Sequence, residues 1–191
     1  IDLVGGREDL ERRLVRAIGD PAERFREDRL RMVRAVRFAA SLGFTIEENT
    51  FRAIQDHAPT ITQISWERIG EEITRILTEG GARSGFDLLD LTQLLKVIFP
   101  EIEAMKGVGQ SPDFHPEGDV FIHTLMMLSH LSQISNLKSQ ISESLAYGCL
   151  LHDIAKPACV KREGGRITFY GHSEKGAEMA VVTVEPADAP P

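Results

Sequence analysis

Two residues side by side, His152 and Asp153, could share one metal ion. They stand at the end of an apolar stretch that reads as a helix, followed by Ile154-Ala155-Lys156-Pro157. Adjacent residues on a helix cannot share a face, but at a fraying C-terminus both can turn toward one ion. Imidazole with carboxylate suits Mn, Fe, Ni, Zn or Mg, and geometry makes the choice among them. The chain has six histidines, at 57, 115, 123, 130, 152 and 172. His123, in Phe121-Ile122-His123-Thr124-Leu125, stands one predicted helix before the doublet. His57 and His130 read as core histidines on apolar helices. Cys149 and Cys159 read as core and loop residues rather than ligands.

A second chemistry belongs to Glu27-Asp28-Arg29-Leu30-Arg31-Met32-Val33-Arg34. The run Asp20-Pro21-Ala22-Glu23 is a capping box with proline at the first helical position, and the helix it opens is predicted to reach Leu42 before Gly43. At about 100° per residue, Arg24, Asp28 and Arg31 fall in one stripe, with Glu27, Arg34 and Phe38 beside it. Phe25, Met32, Val36 and Ala39 fall on the far side. Acids and guanidinium groups at this spacing make either a solvated lattice of i,i+3 and i,i+4 ion pairs or a surface that reads a base edge. In the second case Asp accepts from an exocyclic amine while Arg donates to ring nitrogens and carbonyls. The helix alone leaves both open.

The elements that must position these groups are nearly all helical. Leu10, Leu14 and Ile18 sit four apart and predict a helix over Asp9–Ile18 with Gly19 as its stop. Phe44-Thr45-Ile46 reads as a short extended piece. Helices follow near Glu48–Asp56, Trp66–Leu77 (Ser65 as cap) and Ala82–Leu89, with a short one before Pro100. Gly107, Gly109, Pro112 and Pro116 mark a linker and a domain boundary near residue 108. Beyond it come helices near Asp119–Ile134 and Ser142–His152, a small hairpin over Lys161–Phe169, and a helix from Ser173 to about Ala180. From Val181 the text turns strand-like, then proline-rich, with Asp188 inside it.

Composition narrows the class. Of 191 residues, 42% are hydrophobic and 27% charged, as in ordinary globular domains. No apolar run approaches the ~18 residues of a membrane span, and Ile1-Asp2-Leu3-Val4 is no signal peptide. Two cysteines are too few for a disulfide framework, so a cytoplasmic protein is expected. The net charge is −7, yet residues 1–37 hold ten Arg against eight acidic residues. The first 95 residues hold fourteen Arg and no Lys. Arginine's planar fork suits phosphate, bases and carboxylates better than lysine's point charge; salt-bridged helix faces would use the same residues.

Asp2-Leu3-Val4-Gly5-Gly6-Arg7-Glu8-Asp9-Leu10, Arg16-Ala17-Ile18-Gly19-Asp20-Pro21 and Glu27-Asp28-x-x-Arg31-x-x-Arg34 resemble bacterial class II tRNA nucleotidyltransferases and the related poly(A) polymerases. Ser65-x-Glu67-Arg68-Ile69 and Phe99-Pro100-Glu101 resemble the same family, and the likeness runs over about residues 1–180. It implies that residues 1–19 close a catalytic head, 20–108 form a neck and body that bind nucleotide and RNA, and 109–191 form a truncated HD domain. The fold implied is all-α, a helical neck and body followed by a helical HD-type domain. It also implies that Asp28 and Arg31, with Glu27 and Arg34, pair with the base of incoming CTP or ATP. The family's paired metal-binding carboxylates, which hold Mg²⁺ for phosphoryl transfer, have no counterpart here. By this resemblance the chain carries no residue catalytic for nucleotidyl transfer and should add no nucleotide by itself.

His123, His152-Asp153, Lys156 and Gly171-His172 resemble the HD phosphohydrolase superfamily, with His115-Pro116-Glu117-Gly118-Asp119-Val120 opening the segment. By that resemblance His123, His152 and Asp153 ligate a divalent transition metal, Lys156 sits near phosphate, and His172 is a second-metal or substrate residue. The closing Asp of that superfamily is expected well beyond His172, and Asp188 is poorly placed for it, so metal is expected to bind weakly. The reading is therefore a piece of an RNA 3′-end nucleotidyltransferase, of tRNA CCA-adding or poly(A) type, with RNA, ATP and CTP as partners and no membrane. Its rivals are a metal-dependent HD phosphohydrolase and a non-catalytic RNA-binding module.

Overall fold

The structure is a computed structural model, and it describes residues 2–112, 115–135 and 141–184. It is mostly helical, with two short two-stranded ladders. In chain order come α1 (Gly6–Glu11), β1 (Leu14–Val15), α2 (Pro21–Glu27), α3 (Leu30–Leu42), β2 (Thr45–Ile46) and α4 (Glu48–His57). A 3₁₀ turn over Ala58–Gln63 leads to α5 (Trp66–Thr78), α6 (Ala82–Leu91), α7 (Leu95–Ile98) and α8 (Pro100–Glu103). Then follow α9 (Val120–Ser135), α10 (Glu143–Leu151), α11 (Lys156–Cys159), the hairpin β3 (Lys161–Glu163) and β4 (Arg166–Thr168), and α12 (His172–Val184).

Local chemistry accounts for most helix ends. Asp20 caps α2 by accepting from the Glu23 amide at 2.8 Å, with Pro21 next in the chain. Glu47 caps α4 through the amides of Asn49 (3.0 Å) and Thr50 (2.9 Å), and Ser142 caps α10 through Leu145 at 3.3 Å. Gly43, at φ 63°, closes α3 in the left-handed conformation that glycine adopts without strain. Ser65 precedes α5, but its hydroxyl makes no capping bond.

Three expectations are corrected. The helix expected over Asp9–Ile18 ends at Glu11, and Leu14-Val15 instead pairs in parallel with Thr45-Ile46. The Thr45 and Glu47 amides donate to Arg13 and Val15 carbonyls at 3.0 and 2.9 Å, so a long-range ladder overrides the helical period. Leu10 and Ile18 are left exposed. The helix expected from Asp20 to Leu42 is two helices, broken at Asp28-Arg29, where Asp28 is extended (φ −148°, ψ 104°). The last helix runs through Val184 rather than stopping near Ala180. Asp188 lies outside the described residues.

One apolar cluster runs through the molecule. Phe25, Met32 and Val36 are in it with Ile69, Ile73 and Phe86, and so are Leu125, Leu128, Ala146, Leu150 and Ile154. The four positions expected on the buried side of the arginine segment, Phe25, Met32, Val36 and Ala39, are all buried. Helix α9 lies on α6, and α10 lies on α5 and α9. The Val120 amide donates to the Val108 carbonyl at 3.1 Å, and the Thr74 and Tyr147 hydroxyls bond at 2.9 Å. Among the described residues no helix is long and apolar enough to cross a membrane.

Candidate functional site

The break between α2 and α3 gives the arginine segment its geometry. Asp28 Oδ1 accepts from the Leu30 amide at 3.1 Å and its carbonyl accepts from the Arg31 amide at 3.2 Å, so Asp28 starts α3. Its Oδ2 lies 3.6 Å from Arg68 Nη2 on α5. The side chain that faces Arg31 is Glu27, whose two oxygens take Arg24 Nη2 at 2.7 Å and Arg31 Nη1 at 2.9 Å. Arg31 Nη1 also donates to the Arg24 carbonyl at 3.3 Å. Arg34 Nε and Arg37 Nε donate to opposite oxygens of the buried Glu72, at 2.9 and 2.6 Å. Burial works against ionising Glu72, but the two arginines hold its carboxyl below the ordinary glutamate value.

Arg24, Arg31 and Arg34 line a cavity of about 480 Å³ together with Val15–Ile18, Phe25, Ala35, Phe38 and Thr50. Its lining is mostly apolar, with arginines and Thr50 as the polar residues, a surface suited to a flat aromatic ring bearing acceptor atoms or phosphate. Of the four residues expected to bind nucleotide, Arg31 and Arg34 line this cavity. Glu27 acts on it through Arg31, and Asp28 starts the helix that carries both arginines. Glu72, which pins Arg34, was not foreseen; a lone acid on the buried stripe of a helix facing an arginine-rich one is the signal that would have found it.

The histidines converge elsewhere, where the segment before α9, the start of α9, the end of α10 and the start of α12 meet. The donor atoms of His123, His152 and Asp153 lie within 4.8 Å of one another, and so do those of His115, Glu117 and His123. The His123 ring is edge-on to both His115 and His152, with centroids 4.8 and 5.3 Å apart. Glu117 Oε1 takes His115 Nδ1 at 3.0 Å and His123 Nδ1 at 2.6 Å. His152 Nδ1 is 2.9 Å from the Cys149 carbonyl, and His172 Nδ1 is 2.7 Å from that of Phe169.

Asp153 is buried at the centre. Its Oδ2 lies 2.8 Å from Lys156 Nζ and 3.1 Å from His152 Nε2, and its Oδ1 lies 3.7 Å from His172 Nε2. None of the Oδ2 contacts has hydrogen-bond angles, so a buried carboxylate oxygen is left without a geometric partner. Burial opposes its charge, yet His152 and Lys156 keep the carboxyl down at about 2. Burial likewise opposes charge on His152, and Asp153 outweighs it, raising the imidazole's value. Glu117 is held at about 2 first by its own backbone amide and then by His115, with His123 adding to it. Lys156 is buried, with Nζ donating to Gln110 Oε1 at 2.6 Å. Two imidazoles and a carboxylate with an orphaned oxygen fit a divalent transition metal.

His130, read as a core residue, is exposed, and His57 is half-buried at the end of α4. Cys149 and Cys159 are free, and burial pushes the Cys149 thiol up. Glu117 and Gln110 were not foreseen as parts of this cluster. Glu117 had a signal: an acid six residues before His123, next to the start of its helix.

Residues 43–106 match the family described as "Probable RNA and SrmB- binding site of polymerase A". The Multifunctional CCA protein of Acinetobacter baylyi is 41% identical over 160 residues, covering 81% of this chain and 37% of that protein. That of Hahella chejuensis is 33% identical over the whole chain and 44% of its own length. This chain thus spans about two fifths of the curated relatives it matches. Among solved structures, the Bacillus stearothermophilus CCA-adding enzyme in complex with CTP superposes with a TM-score of 0.52 at 29% identity, covering 96% of this chain and 48% of that one. With relatives of one kind along its whole length, the chain is similar to about two fifths of the length of CCA-adding tRNA nucleotidyltransferases.

Proposed function

We propose that this chain is the nucleobase-selecting neck and RNA-binding body of an RNA 3′-end nucleotidyltransferase of the CCA-adding type, acting on tRNA with CTP and ATP in the cytoplasm. The observation that carries it is the cavity lined by Arg24, Arg31 and Arg34, whose guanidinium groups are held by Glu27 (Arg24 and Arg31) and Glu72 (Arg34). Pre-oriented forks discriminate between ring edges because a mismatched edge leaves a donor unpaired. The solved relative carrying CTP supports a pyrimidine nucleotide as one occupant. The family matched by residues 43–106 supports RNA on the body. Divalent metal, Mg²⁺ in this reading, would be supplied to the triphosphate by residues other than those described here, and this chain's part is to bind and orient the base.

The test uses the protein at the full length of its relatives, primed with tRNA lacking its 3′ end. Arg31→Ala is expected to blur the choice between CTP and ATP by tenfold or more while leaving the fold intact by circular dichroism. Unchanged selectivity would refute the reading.

A second reading concerns the histidine cluster, which one observation favours: His123, His152 and Asp153 present donor atoms within 4.8 Å around an orphaned carboxylate oxygen. We propose that residues 109–184 form an HD-type metal site with these three ligands. Lys156 and His172 flank it, Lys156 being the cation a substrate phosphate would meet. Equilibrium titration with Co²⁺ is expected to show weak binding of one ion per chain, lost in His152→Ala; no binding by the wild-type chain would refute it.

A further inference from the structure

We infer that Glu117 is a positioning residue for the metal site, holding His123 as its Nδ1–H tautomer so that Nε2 is the nitrogen offered to the ion. The inference rests on the metal reading of His123, His152 and Asp153.

Two donor sets overlap at His123: His115–Glu117–His123 and His123–His152–Asp153. One imidazole has one lone pair when neutral, so it cannot serve both. The distances decide between them. An ionised carboxylate only accepts, so the His123 nitrogen 2.6 Å from Glu117 Oε1 carries the proton. A protonated nitrogen has no lone pair for a metal, which leaves Nε2. His115 occupies the same oxygen from the other side at 3.0 Å, and its ring lies edge-on to His123, restricting rotation of the imidazole. The first set is thereby a hydrogen-bonded support.

His152 is built the same way. Its Nδ1 lies 2.9 Å from the Cys149 carbonyl, an obligate acceptor, so its Nε2 is also the free nitrogen. That Nε2 faces Asp153 Oδ2 at 3.1 Å, so this nitrogen and the carboxylate are the groups of the doublet that can turn to one ion. Imidazole ligands of metal sites commonly donate their other N–H to a carboxylate or carbonyl, which fixes tautomer and orientation. Glu117 and the Cys149 carbonyl are those partners here. Of the two, only Glu117 is a side chain and can be changed without moving the backbone.

The test has a readout that needs no metal. In the chelator-stripped 191-residue chain, ¹⁵N resonances of the His123 ring should report the Nδ1–H tautomer. Glu117→Ala should move them to a mixture or to the Nε2–H form. Glu117→Gln, whose amide oxygen still accepts, should keep the wild-type pattern. Titration with Co²⁺ should then show affinity falling about 10–100-fold in Glu117→Ala and largely retained in Glu117→Gln, with His57→Ala as a control. A wild-type His123 in the Nε2–H form, or a tautomer indifferent to Glu117→Ala, would overturn this inference while leaving Co²⁺ binding to stand. Wild-type binding that survives His152→Ala unchanged would overturn the metal reading itself, whatever the tautomer. Should Glu117→Ala fail to fold, the wild-type tautomer and the Glu117→Gln titration decide.

Discussion

Asp28 and Arg31 meet through the backbone: the Arg31 amide donates to the Asp28 carbonyl at 3.2 Å across the break between α2 and α3. The two side chains point to different partners, Asp28 to Leu30 and Arg68, Arg31 to Glu27. An acid three residues before an arginine thus acts first as a helix start, which sets the direction from which Arg31 reaches the cavity.

Asp28→Ala removes that start and should lower stability by about 1 kcal/mol, the usual cost of losing a helix cap. Asp28→Asn keeps the capping oxygen and should stay close to wild type in thermal unfolding. If Asp28 also reads the base, both variants lose nucleotide selectivity in the full-length protein, and only the alanine variant loses stability. Equal thermal midpoints for the two variants would refute the capping role.

Glu72 predicts a pH dependence. Its carboxyl lies below the ordinary glutamate value because Arg34 and Arg37 outweigh burial. A group depressed in the folded state contributes stability that is present above its unfolded value and lost as pH falls through the folded one. The chain should therefore weaken below about pH 4.5, the unfolded reference. Glu72→Gln should cost on the order of 1.5–3 kcal/mol at pH 7, the range for hydrogen bonds to charged groups, and flatten that acid slope. Urea midpoints at pH 7 and pH 4 check it; parallel slopes would count against it.

Gly85 on α6 packs tightly against Ile76 on α5. A Cβ built there would lie 2.3 Å from Ile76 Cγ2, inside the packed core. Gly85→Ala is expected to destabilise by about 1–3 kcal/mol despite alanine's better helix propensity. At this chain length that is roughly 2–4 °C of melting temperature per kcal/mol. A raised melting temperature would show that the two helices can separate freely.

Tyr147 and Thr74 tie α10 to α5 through their hydroxyls at 2.9 Å. Tyr147→Phe should cost about 1 kcal/mol, with the Thr74 hydroxyl left to other partners. The double variant with Thr74→Val should cost less than the sum of the two single ones. Strict additivity in urea unfolding would mean the pair contributes nothing.

What the amino-acid order determined by itself was local or periodic. The cap at Asp20, the stop at Gly43, the buried set Phe25, Met32, Val36 and Ala39, and the doublet His152-Asp153 at a helix end all follow from neighbours within a turn or two. What tertiary structure decided involved residues far apart in the chain. Leu14-Val15 became a strand because Thr45-Ile46 came alongside, an event 31 residues away that no helical period announces. The arginine segment broke at Asp28 where α3 also had to seat Arg34 and Arg37 on Glu72, over 30 residues downstream. The proposed tautomer of His123 rests on an acceptor, Glu117 Oε1, lying 2.6 Å from its Nδ1, a closeness that the six-residue spacing does not by itself announce.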